Sequence, residues 1–165
     1  MATTAVGVQT KSEPQEDLRL QIKRVIKANR QRVFDAWTRP ETIRLWFNPG
    51  ATTMVDASIN AHAGGEYLFT MTGNSCVDGE PLPAEGAVVT GRYVRVEPYD
   101  LLAFTWRSPR FPEEESLVTI ELKDVEGGTE MTLTHDRFHT VESRDQHFNG
   151  WSNVIPKLAE FFERN

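Results

Sequence analysis

The stretch GTEMTLTHDRFHTVESRDQHFNGWSNVIPKLAEFFER, residues 128–164, decides the fold. Its first part alternates. Met131, Leu133 and His135 face one way and the threonines between them the other, the period of two of a half-buried β-strand. From Val141 the spacing turns helical. Trp151, Ile155, Leu158 and Phe162 recur at i, i+4, i+7 and i+11, Val154 and Phe161 widen the stripe, and charged residues fill the other faces. At about 1.5 Å per residue, a helix over Val141–Arg164 runs about 35 Å, long enough to cross a sheet. Pro156 interrupts it. Proline removes the bond to the Ser152 carbonyl, so a bend is expected there that shapes one opening of any space beneath.

Upstream, the same alternation recurs. Leu18, Leu20 and Ile22 lead a first strand to Ile26. Asn29 is placed to cap a short helix, Arg30 to Trp37, and Thr38-Arg39-Pro40-Glu41 has the pattern of a capping box opening a second helix with Ile43, Trp46 and Phe47 on one face. Then come Thr52 to Ile59; Tyr67, Phe69 and Met71 in the next strand; the polar Gly/Pro-rich loop 73–86; and Val88 to Val96. Leu102, Phe104 and Trp106 follow, then the loop from Pro109 to Glu115 and a sixth strand with Val118, Ile120 and Leu122. The order β–α–α–β–β–β–β–β–β–α, with short turns between consecutive strands, predicts an α+β fold. About seven antiparallel strands must twist and curl, and a straight helix across the concave side cannot touch them everywhere.

Composition narrows the function classes. Eighteen Lys and Arg against 24 Asp and Glu give a net charge of −6, which argues against a nucleic-acid partner held by counterion release. No apolar run reaches the ~20 residues of a membrane helix, so no membrane insertion is expected. The single cysteine, Cys76, cannot form an internal disulfide and predicts a reducing, cytoplasmic setting. Residues 1–17, small and polar, read as a disordered leader, and 18–165 as one domain. His135 and His139 are four apart but fall at a strand end, with no third ligand, so no metal and no cofactor is expected. Glu113-Glu114-Glu115 reads as solvated surface.

The run Arg32-Val33-Phe34-Asp35-Ala36-Trp37-Thr38-Arg39-Pro40-Glu41 with Leu45-Trp46-Phe47 resembles the N-terminal signature of domains homologous to the activator of the heat-shock-protein-90 ATPase. Gly64-Gly65-Glu66-Tyr67, Gly91-Arg92-Tyr93, Leu102-Ala103-Phe104-Thr105-Trp106, residues 128–135 and His147-Phe148-Asn149-Gly150-Trp151 extend the likeness over about 18–163. The resemblance implies the START-like (SRPBCC) helix-grip fold, a curved antiparallel sheet wrapped around a long C-terminal helix. It also implies an apolar ligand or lipid held between sheet and helix.

Four Trp, three Tyr and nine Phe are many for so polar a chain. Inward strand positions are apolar in any globular domain, and pocket walls are apolar too. The expected lining of a cavity for a hydrophobic small molecule is Trp46, Tyr67, Phe69, Met71, Tyr93, Phe104, Trp106, Phe138, Trp151 and Ile155, with His135 as the polar group at its rim. His147, one turn before Trp151, faces either the sheet or water. No nucleophile elbow or phosphate loop occurs. Two alternatives stand beside binding. One is a cyclase- or hydrolase-like enzyme using a cavity acid or base; the other is a chaperone-interacting module, implied by the family's name and unsupported by the residues. The sequence leaves ligand identity and oligomeric state open.

Overall fold

The computed structural model describes residues 18–74 and 80–164; the expectations for residues 1–17 and for Cys76 lie outside them. Ten elements follow in chain order: β1 (Leu20–Ile26), α1 (Arg30–Thr38), α2 (Pro40–Trp46), β2 (Ala51–Ile59), β3 (Glu66–Asn74), β4 (Ala87–Glu97), β5 (Leu101–Trp106), β6 (Ser116–Val125), β7 (Gly128–Asp136) and α3 (Val141–Arg164). The strands form a seven-stranded antiparallel sheet in the order β1-β7-β6-β5-β4-β3-β2, curled into a half-barrel. β1 closes against the last strand, with Leu20 opposite His135 and Ile26 opposite Thr129. Register shifts between Met54 and Asp56 in β2 and between Tyr93 and Arg95 in β4 mark irregularities that bend the strands and deepen the curl. Among the described residues no helix is long and apolar enough to cross a membrane.

The α1 start follows the sequence: Asn29 accepts the Arg32 amide at 2.9 Å. The capping box at Thr38 does not form. Thr38 is the last residue of α1, and its hydroxyl donates back to the Phe34 carbonyl at 3.0 Å, while α2 begins on Arg39 with Pro40 in its first turn and no side-chain cap. The two helices are too close in sequence for Thr38 to serve both. Ordered strand pairing begins at Leu20, two residues later than the alternation predicts.

Inward residues of the strands meet α1, α2 and α3 in one core that includes Val33, Trp37, Tyr67, Phe104, Ile120, Leu133 and Leu158. Two glycines permit close approaches. A Cβ at Gly91 would sit 2.0 Å from the Thr105 carbonyl and 2.7 Å from the Tyr67 hydroxyl, which itself donates to that carbonyl at 2.6 Å. Gly128 has φ +149°, and a Cβ there would meet the Ile26 carbonyl at 2.1 Å where β1 joins β7.

The helix α3 runs unbroken through Pro156. Its second half, with Ile155, Leu158, Ala159 and Phe162, is buried, and α3 packs on β1 and α2. Lys157 ties it further to the loop after α2, donating to the Asn48 carbonyl and, at 3.2 Å, to that of Gly50. The first half of α3 stands off the sheet. Within the stretch Ser152–Pro156 Val154 lines the space beneath while Ser152 is exposed, and α3 also contributes Gln146, His147, Gly150 and Trp151.

Replacing Gly91 by Ala forces a methyl group against the Thr105 carbonyl, and the variant should lose about 1–3 kcal/mol in urea unfolding. Leu45→Ala, at a position 66% exposed, should stay within about 0.5 kcal/mol.

Candidate ligand-binding site

A cavity of about 590 Å³ occupies that gap. Among the described residues its walls come from Phe47, Pro49 and Thr52 after α2, Met71 of β3, residues 80–83 and 86–89 around the start of β4, Trp106 at the end of β5, residues 108–111 in the following loop, and the first half of α3. Most of these side chains are apolar, and the size is that of a chamber for a small organic molecule. Exposed Glu80 and Arg110 stand at its mouth, and neither is free of other interactions.

The expected lining residues divide into two sets. Met71, Trp106 and Trp151 border the cavity. Trp46, Tyr67, Phe69, Tyr93 and Phe104 pack instead into a continuous aromatic layer behind it. Tyr67 lies 4.9 Å from Phe69 and 5.7 Å from Tyr93, centroid to centroid, and Tyr93 5.7 Å from Phe104. Phe47 joins the two sets, in contact with Phe69, Trp106 and Trp151. Ile155 and Phe138 are core residues, Phe138 covering the His135 ring at 4.3 Å. Alternation along a strand tells which face a side chain takes. It does not tell how far along the strand helix and sheet separate.

His135 is inward, but it is wholly buried behind the cavity wall and not at its rim. Trp151 Nε1–H donates to its Nδ1 at 2.9 Å, so the ring proton is on Nε2, which faces the Ser116 hydroxyl at 2.7 Å. Ser116 in turn donates to the Trp106 carbonyl at 3.2 Å. Both nitrogens of His135 are spent on the protein, leaving none for a ligand.

The histidine that does reach the cavity is His147. Its Nδ1 lies 2.8 Å from the Ser143 carbonyl, which can only accept, so Nδ1 carries the proton and Nε2 offers a lone pair. Phe111, Phe138 and His135 surround the ring, at 5.7, 5.0 and 5.1 Å. The sequence left its direction open because an isolated helical position one turn before Trp151 borders both the buried stripe and its edge.

Glu114 departs from its expected place on the surface: it is 5% exposed, whereas Glu115 is exposed and faces Arg92 and Arg107. Glu114 Oε2 accepts the His139 amide at 2.6 Å and Oε1 the Ser143 hydroxyl at 2.7 Å, fastening the β5–β6 loop to the first turn of α3. There the helix dipole favours a carboxylate. Thr140 completes the start of the helix by accepting the Ser143 amide. His135 and His139 share no site, the one buried and the other exposed, and no described group of three or more His, Cys, Asp or Glu is placed to hold a metal.

Burial pushes the pKa of His135 well below the ordinary histidine value, and the neighbouring His147 adds to the effect. Burial likewise lowers His147, opposed by its bond to the Ser143 carbonyl and by the Glu114 charge. Both folded values lie below the unfolded one, so the unfolded chain binds more protons as pH falls below about 6.5. Stability should be level above that pH and fall below it, by up to about 1.4 kcal/mol per pH unit for each ring. Urea midpoints measured from about pH 7.5 to 5.5 check this, and His135→Asn should flatten the decline. An equal slope in the variant would contradict the assignment.

The family model described as Activator of Hsp90 ATPase homolog 1-like protein matches residues 27–163. Among solved structures, a protein from Rhodobacter sphaeroides is 25% identical, with 90% of this chain and 95% of that one covered and a TM-score of 0.75. A Chromobacterium violaceum protein is 19% identical, with 90% and 99% covered and a TM-score of 0.75. An AHSA1-like protein from Aeromonas hydrophila is 21% identical, with 88% and 92% covered and a TM-score of 0.68. No curated protein sequence matches the chain. The family match spans both helices of the N-terminal signature, the strands that floor the cavity and nearly all of α3; the chain belongs to the activator of Hsp90 ATPase homolog 1-like family and carries its helix-grip fold.

Proposed function

We propose that the protein binds an apolar or aromatic small molecule in the cavity between the curled sheet and the first half of α3. The observation that carries this reading is the cavity itself: about 590 Å³, walled largely by apolar side chains. Its inner wall rests on a packed aromatic layer. A ligand removing about 300 Å² of apolar surface from water would gain about 7 kcal/mol before the cost of association, enough for useful affinity. Met71, Trp106 and Trp151 are the contact residues of this reading, with Phe47, Leu82, Val89 and Phe111. Trp46, Tyr67, Phe69, Tyr93 and Phe104 support the wall from behind.

A second reading, an acid–base enzyme, is favoured by one observation: His147 is a titratable wall residue whose Nδ1–H is fixed and whose Nε2 is left as a proton acceptor. It would require that turnover be lost in His147→Gln while binding persists.

Native mass spectrometry of gently purified protein should show a non-covalent adduct, and the neutral dye Nile red should gain fluorescence on titration. Val89→Trp, which fills the cavity from β4, should abolish both with little loss of stability. Phe111→Ala should weaken dye binding about three- to tenfold. Unchanged dye binding in Val89→Trp would overturn the location.

A further inference from the structure

The four tryptophans differ in what their indole N–H groups do. Trp37 donates to the Met131 sulfur at 3.4 Å, Trp46 to the Ala36 carbonyl at 3.0 Å and Trp151 to His135 at 2.9 Å. Trp106 Nε1 is buried with no hydrogen-bond partner among the described residues, and Trp106 is a wall residue of the cavity. An unpaired buried donor costs about 1–3 kcal/mol, so one that persists points to something beyond the packed chain.

Two acceptors stand on the facing wall. Gln146 lines the cavity, and its Oε1 is buried and unpartnered. The amide orientation is set by chemistry: the carboxylate of Glu142 can only accept, so Gln146 presents Nε2–H to it, at 3.3 Å, and a flip would set oxygen against oxygen. The other is His147 Nε2, whose lone pair is fixed by the commitment of Nδ1 to Ser143. The groups packed on that ring are His135, neutral and doubly bonded, Phe111, Phe138 and the Glu114–Ser143 pair. None turns Nε2 into a donor, and the lowered pKa keeps the ring neutral at neutral pH.

Besides the Thr52 hydroxyl, which donates to the Pro49 carbonyl at 2.7 Å, and the Ser108 hydroxyl, which can serve as donor or acceptor, the wall presents one fixed donor against two fixed acceptors. Resting on the binding reading above, we propose that the cavity selects a neutral apolar alcohol or phenol carrying two hydroxyl groups, and disfavours carboxylates. Hydroxyl hydrogens go to Gln146 Oε1 and His147 Nε2, and a hydroxyl oxygen accepts from Trp106 Nε1–H. A carboxylate brings no hydrogen. It satisfies Trp106 alone and sets its charge against two lone pairs, at a cost that grows in a low-dielectric wall. Arg110, exposed at the mouth, has interactions of its own.

The test displaces Nile red at about pH 7.5 with three probes that share one apolar body: 4-hexylresorcinol, hexylbenzene and 4-hexylbenzoate. Hexylresorcinol should bind about tenfold or more tighter than hexylbenzene, each neutral hydrogen bond giving about three- to tenfold, and the benzoate should bind weakest. Gln146→Leu and His147→Phe should each lower the ratio of hexylresorcinol to hexylbenzene affinity by about three- to tenfold. The Gln146 variant stands independently if His147→Phe folds poorly. Equal affinities for resorcinol and hexylbenzene, tightest binding by the benzoate, or an advantage untouched in Gln146→Leu would overturn the selectivity while leaving apolar binding intact. Failure of all three probes to displace the dye would overturn both readings.

Discussion

One buried imidazole holds the arrangement together. His135 receives the Trp151 indole on one nitrogen and faces the Ser116 hydroxyl with the other, so α3, β6 and β7 meet in a single hydrogen-bonded knot. In a dry core a polar group must be fully paired or it destabilises the fold, and this one is. The knot fixes the distance between helix and sheet at Trp151. From that point toward its C-terminus α3 descends onto β1 and α2. From that point toward its N-terminus the helix is propped by Glu114, whose carboxylate bridges the β5–β6 loop to the first turn. Between these two supports, over a curved sheet, lies the chamber.

That geometry explains the division of labour among the aromatics. Tyr67, Phe69, Tyr93 and Phe104, on the neighbouring strands β3, β4 and β5, pack on one another at ring separations of about 5–6 Å. Trp106 and Trp151, 5.3 Å apart, lie where the surfaces part, with packed rings on one side and the chamber on the other. The three tryptophans with hydrogen-bonded indoles are held by backbone, sulfur or histidine. The Trp106 indole N–H has no partner among the described residues.

The sequence carried the fold because period and turn chemistry are local properties. The alternation of Met131, Leu133 and His135, the helical stripe from Trp151 to Phe162, and the Asn29 cap each report their element without reference to the rest of the chain. The chamber was less legible. Its wall depends on where the helix leaves the sheet, and no residue-level pattern encodes that distance. More than a third of its lining comes from the loops 80–83 and 108–111, whose Pro-rich composition signals irregular structure but not direction. His147 and Glu114 were obscured for the same reason. Glu114 lies in the loop before β6 and is turned inward by the His139 amide and the Ser143 hydroxyl, and His147 lies within α3, where the rings of Phe111, Phe138 and His135 around it mark its inward direction.

The central claim is that an apolar chamber stays open beneath the first half of α3. Diffraction from crystals pressurised with xenon tests it most directly, because xenon enters dry apolar cavities and marks them. The account predicts xenon density bordered by Phe47, Val89, Trp106 and Trp151. A chamber collapsed by a shift of α3 onto β4, with no xenon between helix and sheet, would contradict it.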